Sequence, residues 1–472
     1  MMKKLKKEIL VIISMLFVLF CIPNYIYAES SENEYSILLR DENKTEDFQQ
    51  LIKKHNLQVT YSVPEIGFFK VKAKSDEIPN LEKNKKELYV GMPLHSEISN
   101  GMQRVYATPS TSNSLWDYQW DVKQVTENGK SFNLSKGSHN VVVGIIDSGI
   151  DLKHPDLQPN ILPGSKNLVP AGGYKGKENN ETGDINDITD KMGHGTHVAG
   201  LVAANGRIKG VAPNVGIRSY RVFGKSSGQS IWVTKAIVEA AKDGTDVISM
   251  SLSGFKSTGS IIHKDPETGK TVKVENELVD ILAYERAIKY ARNKGSIVVS
   301  SSGNEGLDVN DTKKVEEYLL SLPDSKNVTF LGKSIQVPAS LPGVVTVSST
   351  GPDKKLSTFS NFGYNFIDIT APGGDFKLLK EYGPEAWNQQ GLYMKENILS
   401  TSNNQGYFYT AGTSSAAPKV SAALALIIDK YGKRAPEQTV NHLMTYGIDF
   451  SNSNEKIYFG NGHLNVYKAL SR

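Results

Sequence analysis

Three short stretches of the chain carry side chains that together can break an acyl bond. They are Gly412-Thr413-Ser414-Ser415-Ala416-Ala417-Pro418, the run from Val141 through Asp147 to Gly149, and Gly193-His194-Gly195-Thr196-His197 continuing to Gly200. They hold a serine, an aspartate and a histidine, each at the edge of an apolar element. A hydroxyl beside an imidazole is a nucleophile with its base, and a carboxylate on the far ring nitrogen fixes the tautomer and stabilises the imidazolium. Taken singly, each stretch is ordinary: a small-residue turn into a helix, a strand-ending Asp turn, and two histidines three residues apart. That spacing also suits a metal pair, but no glutamate stands between them in a His-Glu-x-x-His arrangement. Ser415 competes with Ser414, and His197 with His194.

The elements that must position these groups are legible in the apolar pattern. Strand-like runs at 141–146, 216–222, 246–250, 297–301, 344–347 and 367–369 alternate with helical stretches such as 231–242 and 277–293. Continuous apolar strands separated by helices predict an α/β fold, a parallel sheet covered on both faces. Asp147 ends the first of these strands, and the C-terminal edge is where such sheets place ligands. Ser414 starts a helix over 415–429, whose N-terminus points backbone N–H groups and a positive dipole end at a developing oxyanion. Gly412 is expected to let the backbone bend sharply there.

Upstream, 29–97 is predicted as a separate small α+β unit. Strands at 35–39, 58–63, 67–71 and 88–90 and helices at 45–55 (Thr45 as N-cap) and 75–81 follow in ferredoxin-like order. Residues 98–114 are rich in Ser, Thr, Asn and Gly and lack periodicity, which predicts a linker, and 115–472 form the large domain. Lys3, Lys4, Lys6 and Lys7 precede an apolar run at 9–21, with Ala28 after a polar stretch, the pattern of a secretory signal peptide over 1–28. Cys21, the single cysteine, leaves with it, so no disulfide is expected. The signal carries +3 of the chain's +4, which leaves no electrostatic case for nucleic acid or a membrane surface. The expectation is free secretion as a monomer.

The order Asp, His, Ser, with Asp147-Ser148-Gly149, His194-Gly195-Thr196-His197 and Gly412-Thr413-Ser414-Ser415-Ala416-Ala417-Pro418, resembles the subtilisin-like serine endopeptidases, the subtilase family. The resemblance spans about residues 115–472 and selects Asp147, His194 and Ser414 as the triad, leaving His197 structural. It implies that Asn304, in Ser302-Gly303-Asn304-Glu305-Gly306, donates its amide to the oxyanion. It also implies that Ser251-Leu252-Ser253-Gly254 pairs with an extended substrate backbone, although the family usually has glycine where Ser253 stands. It makes 29–97 a propeptide, at once chaperone and inhibitor of its own enzyme, and requires no cofactor for the chemistry. Within the family the wording is most similar to the staphylococcal lantibiotic leader peptidases of the epidermin-processing type. That implies a modified peptide precursor cut after a basic residue, with a general extracellular subtilisin as the alternative. An inactive protease-fold binding protein would lack a triad member, and none is missing.

Three stretches, 255–276, 307–336 and 373–405, are longer than the short loops of broad degradative subtilisins, and loops on a rigid scaffold carry recognition. Glu305 and Asp308 lie near where subtilases line the pocket for the residue before the scissile bond, and a carboxylate there favours arginine. Arg104 is the one arginine between Arg40 and Arg207, so self-maturation between Arg104 and Val105 is expected. Asp156 matches a calcium-binding residue of subtilisins, but the loop 205–209 is too short for that site. Asp184, Asp187 and Asp190 offer oxygen ligands for a structural Ca²⁺ instead, or form a solvated acidic loop.

Overall fold

The structure, a computed structural model, describes residues 32–472 apart from 75–76, 84–85, 94, 97–103, 107–112, 226–227, 265–267, 269, 326 and 451–454. The segment 1–28 expected as a signal peptide, with Cys21, lies outside the described residues. Nine strands form the main sheet, in the spatial order Ile448–Asp449, His463–Leu464, Ile369–Pro372, Val344–Thr350, Ile297–Ser301, Val247–Met250, Val142–Asp147, Gly216–Arg221 and Lys166–Asn167. Every neighbouring pair is parallel except the first, which is antiparallel. The central strands are buried along their whole length, as their unbroken apolar runs require.

Alternate residues sort to two cores. Val143, Ile145, Val247, Ile297 and Val299 pack with helices His194–Ala203 and Thr413–Tyr431. Ile146, Ile248, Met250 and Val298 pack with helices Ser230–Lys242 and Leu278–Asn293 on the opposite face. The run predicted at 367–369 becomes a strand only from Ile369, because Ile367 turns aside with Phe366 and Ala339 into a small cluster of its own.

The N-terminal unit runs Glu32–Leu39, helix Thr45–Lys54, Gln58–Val63, Phe68–Lys74, helix Ile78–Glu82 and Leu88–Gly91, and its antiparallel sheet is ordered 58–63, 68–74, 32–39, 88–91. Lys44, not Thr45, takes the N-cap position of the first helix, without a side-chain cap. Phe69, Val71 and Ala73 face the unit's own helices. Their neighbour Phe68, with Leu38, Val63 and Ile66, joins the core beneath helices Ser230–Lys242 and Leu278–Asn293. Polar ties complete this seat: Arg286 Nη1 donates to Leu39 O at 2.5 Å and Ile66 O at 3.1 Å, Nη2 donates to Arg40 O at 3.0 Å, and Lys70 Nζ donates to Gln229 Oε1 at 3.0 Å.

The expected linker is not free along its length. His95–Ser96 pairs antiparallel with Gly228–Gln229, and Val105–Tyr106 pairs antiparallel with Phe408–Tyr409. The longer stretches also fold: Gly254–Ser257 pairs with Ser334–Val337, and Thr271–Asn276, Ser260–Lys264 and Val328–Phe330 make a three-stranded sheet.

Helix Thr413–Tyr431 runs through the core with residues 413–428 all buried. Lys419 on it is wholly buried, and its ammonium lies 2.8 Å from Asp121 Oδ2, itself wholly buried on the short helix Trp120–Val125. Burial pushes the Lys419 pKa down, against the pull of Asp121. Removing one member of such a pair leaves a buried charge without its counterion. Asp121→Ala is therefore expected to destabilise the protein by about 3–5 kcal/mol in urea unfolding, and Asp121→Leu with Lys419→Met to recover most of the loss.

Candidate active site

The sequence-predicted groups converge on the C-terminal edge of the sheet. Asp147 ends the strand Val142–Asp147, Ser251 follows Val247–Met250, and Asn304 follows Ile297–Ser301. His194 opens one helix of the first core, and Ser414 is the second residue of the other. His194 Nδ1 lies 2.8 Å from Asp147 Oδ1. A carboxylate only accepts, so Nδ1 carries the proton and Nε2 is the basic nitrogen. This contact needs the helix pressed onto the strand end: a Cβ on Gly195 would stand 2.2 Å from Gly149 O and 3.2 Å from Asp147 Cβ. His197 is buried against the Phe408 ring, 4.5 Å between centroids, with Nε2 3.3 Å from Ile398 O. Burial drives its pKa well below the usual imidazole range, which keeps it neutral and structural.

The acidic run ahead of His194 is held by protein partners. Asp190 Oδ1 accepts from Ser148 Oγ at 2.8 Å, Met192 N at 3.0 Å and Gly193 N at 2.7 Å, and Oδ2 accepts from Thr196 N at 2.8 Å and Thr196 Oγ1 at 2.7 Å. Ser148 Oγ in turn accepts the Gly195 N–H at 2.9 Å. Asp190 thus ties the start of the His194 helix to the residue after Asp147, satisfying N–H groups that a helix start leaves open. Asp187 faces Lys191 at 3.6 Å and Arg221 at 3.8 Å, while Asp184 Oδ1 accepts the Asn186 N–H at 3.0 Å. Among the described residues no three acidic, His or Cys groups converge to hold a metal. The three carboxylates expected as candidate calcium ligands, Asp184, Asp187 and Asp190, thus go to separate partners. Asp156 closes the short loop directly, accepting Arg207 N and Ile208 N, both at 3.0 Å.

At the nucleophile, Gly412 is extended (φ 163°, ψ 157°), so the expected sharp bend is absent. Asn304 Oδ1 accepts Thr413 N at 2.8 Å and Thr413 Oγ1 at 2.9 Å. With the oxygen so engaged, Nδ2 is the donor available to an oxyanion. Pro418 sits four residues after Ser414 and has no N–H, so the Ser414 carbonyl loses its helical donor. Ser251 Oγ replaces it at 2.8 Å, coupling the substrate-edge segment to the nucleophile. Lys419 Nζ donates to Ser415 O at 2.9 Å and to Pro372 O at 3.0 Å.

The predicted edge segment is shorter than expected. Gly254 is already paired with Val337, leaving Ser251, Leu252 and Ser253 outside the ladder. The Ser253 hydroxyl, where glycine was expected, accepts Gln336 Nε2 at 3.2 Å. Gln336 also reaches Glu305 Oε2 at 3.4 Å, which takes Asn361 Nδ2 at 2.5 Å. Burial raises the Glu305 pKa above the usual carboxylate range, with these amides and backbone N–H groups opposing. Asp308 does not serve beside it: Oδ1 accepts Asn310 N at 2.9 Å in its own turn, and its backbone bridges to Phe362. Arg104 is half-buried, not exposed: Nη1 donates to Met192 O at 2.5 Å and the guanidinium lies 5.3 Å from the Phe408 ring. Gln336 and Asn361 escaped the sequence reading, and Asp190 was named there as a candidate calcium ligand rather than as the acid that holds the helix start. Asp190 alone carried a signal, an acid just ahead of a helix start.

Residues 138–462 match the model of the subtilase family. The chain belongs to the subtilase family. It is similar to the epidermin leader peptide-processing serine protease EpiP of Staphylococcus epidermidis, 37% identical over 98% of this chain and 99% of that protein. It is 40% identical to the nisin leader peptide-processing serine protease NisP of Lactococcus lactis subsp. lactis, over 79% of this chain and 52% of that one. The crystal structure of EpiP from Staphylococcus aureus superposes with a TM-score of 0.81 at 40% identity, covering 93% of this chain and 98% of that one. This subtilase is a serine protease, a peptide-bond hydrolase, on the subtilisin-like fold.

Because Asp190 holds the base without touching substrate, Asp190→Ala is expected to lower kcat on a chromogenic peptide by about 10²-fold, the scale of a misplaced catalytic group, with KM little changed.

Proposed function

We propose that this subtilase is a secreted enzyme, made as a zymogen, that removes the leader from a lantibiotic precursor by cutting after a basic residue. The observation that carries the reading is the match to a leader-processing protease along nearly the whole of both chains. Ser414 Oγ attacks the carbonyl as His194 Nε2 takes its proton, and Asp147 stabilises the imidazolium. The oxyanion is met by Asn304 Nδ2 and by backbone N–H groups at the helix start. The protonated His194 gives its proton to the leaving amine, and water then repeats the sequence on the acyl-enzyme. Protein groups supply every step.

The basic preference rests on Glu305, one residue after Asn304. A buried carboxyl held above its ordinary pKa is ready to ionise against a cation entering the pocket. In the zymogen reading, 29–97 inhibits its own enzyme and the cut falls between Arg104 and Val105. Val105 stands in a ladder with Tyr409, so that bond is reached after the strand leaves its partner.

Purified enzyme given a lantibiotic precursor is expected to cut once, after the basic residue at the leader boundary, and Ser414→Ala to leave it intact. Scattered cuts in the precursor and in casein would instead mark a general protease. Mass spectrometry of the products decides between them.

The pH dependence has a fixed sign. Glu305 is protonated below its raised pKa, so a cationic residue finds its partner only above it. The ratio of kcat/KM for Arg over Leu substrates is expected to rise with pH along a limb above the usual carboxylate range, and Glu305→Gln to flatten it. Identical profiles in the two enzymes would remove Glu305 from the specificity pocket.

A further inference from the structure

The inserted three-stranded sheet leaves Thr271–Asn276 on its edge, since the order is 271–276, 260–264, 328–330. Facing that edge is the segment Leu88–Gly91, itself the edge strand of the N-terminal sheet. The approach is close: a Cβ on Gly91 would stand 2.5 Å from Asn276 O and 2.9 Å from Val279 Cγ2. Two residues earlier, Tyr89 packs against the apolar cluster that contains Val279. Four residues after Gly91, His95 and Ser96 pair antiparallel with Gly228–Gln229. A single stretch of chain therefore leads from the inserted edge to the strand Gly228–Gln229, and four extended residues span only about 13 Å.

We propose that Asn276 and Val279, with the edge Thr271–Asn276, form an exosite for the part of a peptide substrate that lies upstream of the residues in the cleft. The inference rests on the leader-removal reading and names what recognises the leader. Gly228–Gln229 has His95–Ser96 as its ladder partner among the described residues, so a substrate that takes this place after the N-terminal unit departs runs in the same direction as the protein's own segment. Its residues about four positions before that pairing then arrive at Asn276. The occupant is an extended peptide with glycine at the position over Asn276, because only a residue without a Cβ lets the backbone approach this closely. The open carbonyl of Asn276 and the apolar Val279 become available when the N-terminal unit departs. An edge strand reads backbone in any sequence, and the glycine requirement adds register. The stretch 255–276, longer than a degradative subtilisin needs, thereby acquires a role.

The test uses the mature enzyme and three synthetic peptides of this chain's own sequence: residues 93–108, residues 86–108, and 86–108 carrying Gly91→Val. Affinity is read as the competitive inhibition constant against a chromogenic tripeptide anilide, and cleavage is followed separately by mass spectrometry. The 86–108 peptide is expected to bind about tenfold more tightly than 93–108, the scale of a few added backbone contacts, and Gly91→Val to remove that gain. Replacing 262–274 of the enzyme with a two-residue turn is expected to close the gap as well, its folding checked by melting temperature. Equal affinities of 86–108 and 93–108 for the wild-type enzyme, or an undiminished Gly91→Val peptide, overturn the exosite. An intact affinity gap with a lantibiotic precursor left uncut would instead overturn the leader-removal reading and leave the exosite standing.

Discussion

A helix buried on every side must satisfy all its polar groups without water, and Thr413–Tyr431 is such a helix. Much of the site's architecture answers that demand. Pro418 opens a carbonyl at Ser414, and Ser251 closes it. The ammonium of Lys419 is surrounded by Ser415 O, Pro372 O and Asp121. Ser421 Oγ, two residues further on, bonds Ser249 Oγ on a central strand. The first N–H of the helix goes to Asn304. Beyond Ser415 on the helix itself, these partners come from three strands or the residues that follow them and from the helix Trp120–Val125, so the demand of one helix draws the nucleophile, the oxyanion donor and the substrate edge into one frame.

The histidine is held by the same logic from the other side. Its helix starts without a side-chain cap from the preceding residue, and the open N–H groups go to Asp190 and Ser148. Asp190 lies four positions before His194, close enough for its carboxylate to reach the first N–H groups of that helix. Asp187 and the buried Glu181 nearby share two cations: Arg221 and Lys191 reach Glu181 at 2.6 Å and 2.7 Å and Asp187 at 3.8 Å and 3.6 Å. Buried acids seek charge partners, and here arginine and lysine supply them.

The N-terminal unit meets both the enzyme's helices and its inserted sheet. The unit covers helices Ser230–Lys242 and Leu278–Asn293, and its last strand points along the inserted edge toward Gly228–Gln229. The side chains around Glu305 come from the same region, with Gln336 arriving on the strand that pairs with Gly254–Ser257. The third long stretch lies elsewhere: Ser400 Oγ donates to His197 O and Thr401 Oγ1 to Thr196 O, both at 2.7 Å, on the helix that carries His194.

Local pattern put candidates for Asp147, His194 and Ser414 at a strand terminus and two helix starts, but left Ser415 and His197 as rivals; the resemblance to subtilases chose among them and singled out Asn304. The parallel sheet was legible from pattern alone, because a strand buried on both faces writes an unbroken apolar run. Tertiary structure decided what depends on residues far apart in sequence. Asp121 meets Lys419 across nearly 300 positions, and Asn361 meets Glu305 across 56. Gly254 was lost to a ladder with Val337, and Val105 gained one with Tyr409, through strand partners that no local periodicity names. Local patterns report which face of an element is buried. They do not report which donor will stand opposite a buried acceptor, since that choice follows from how the elements pack.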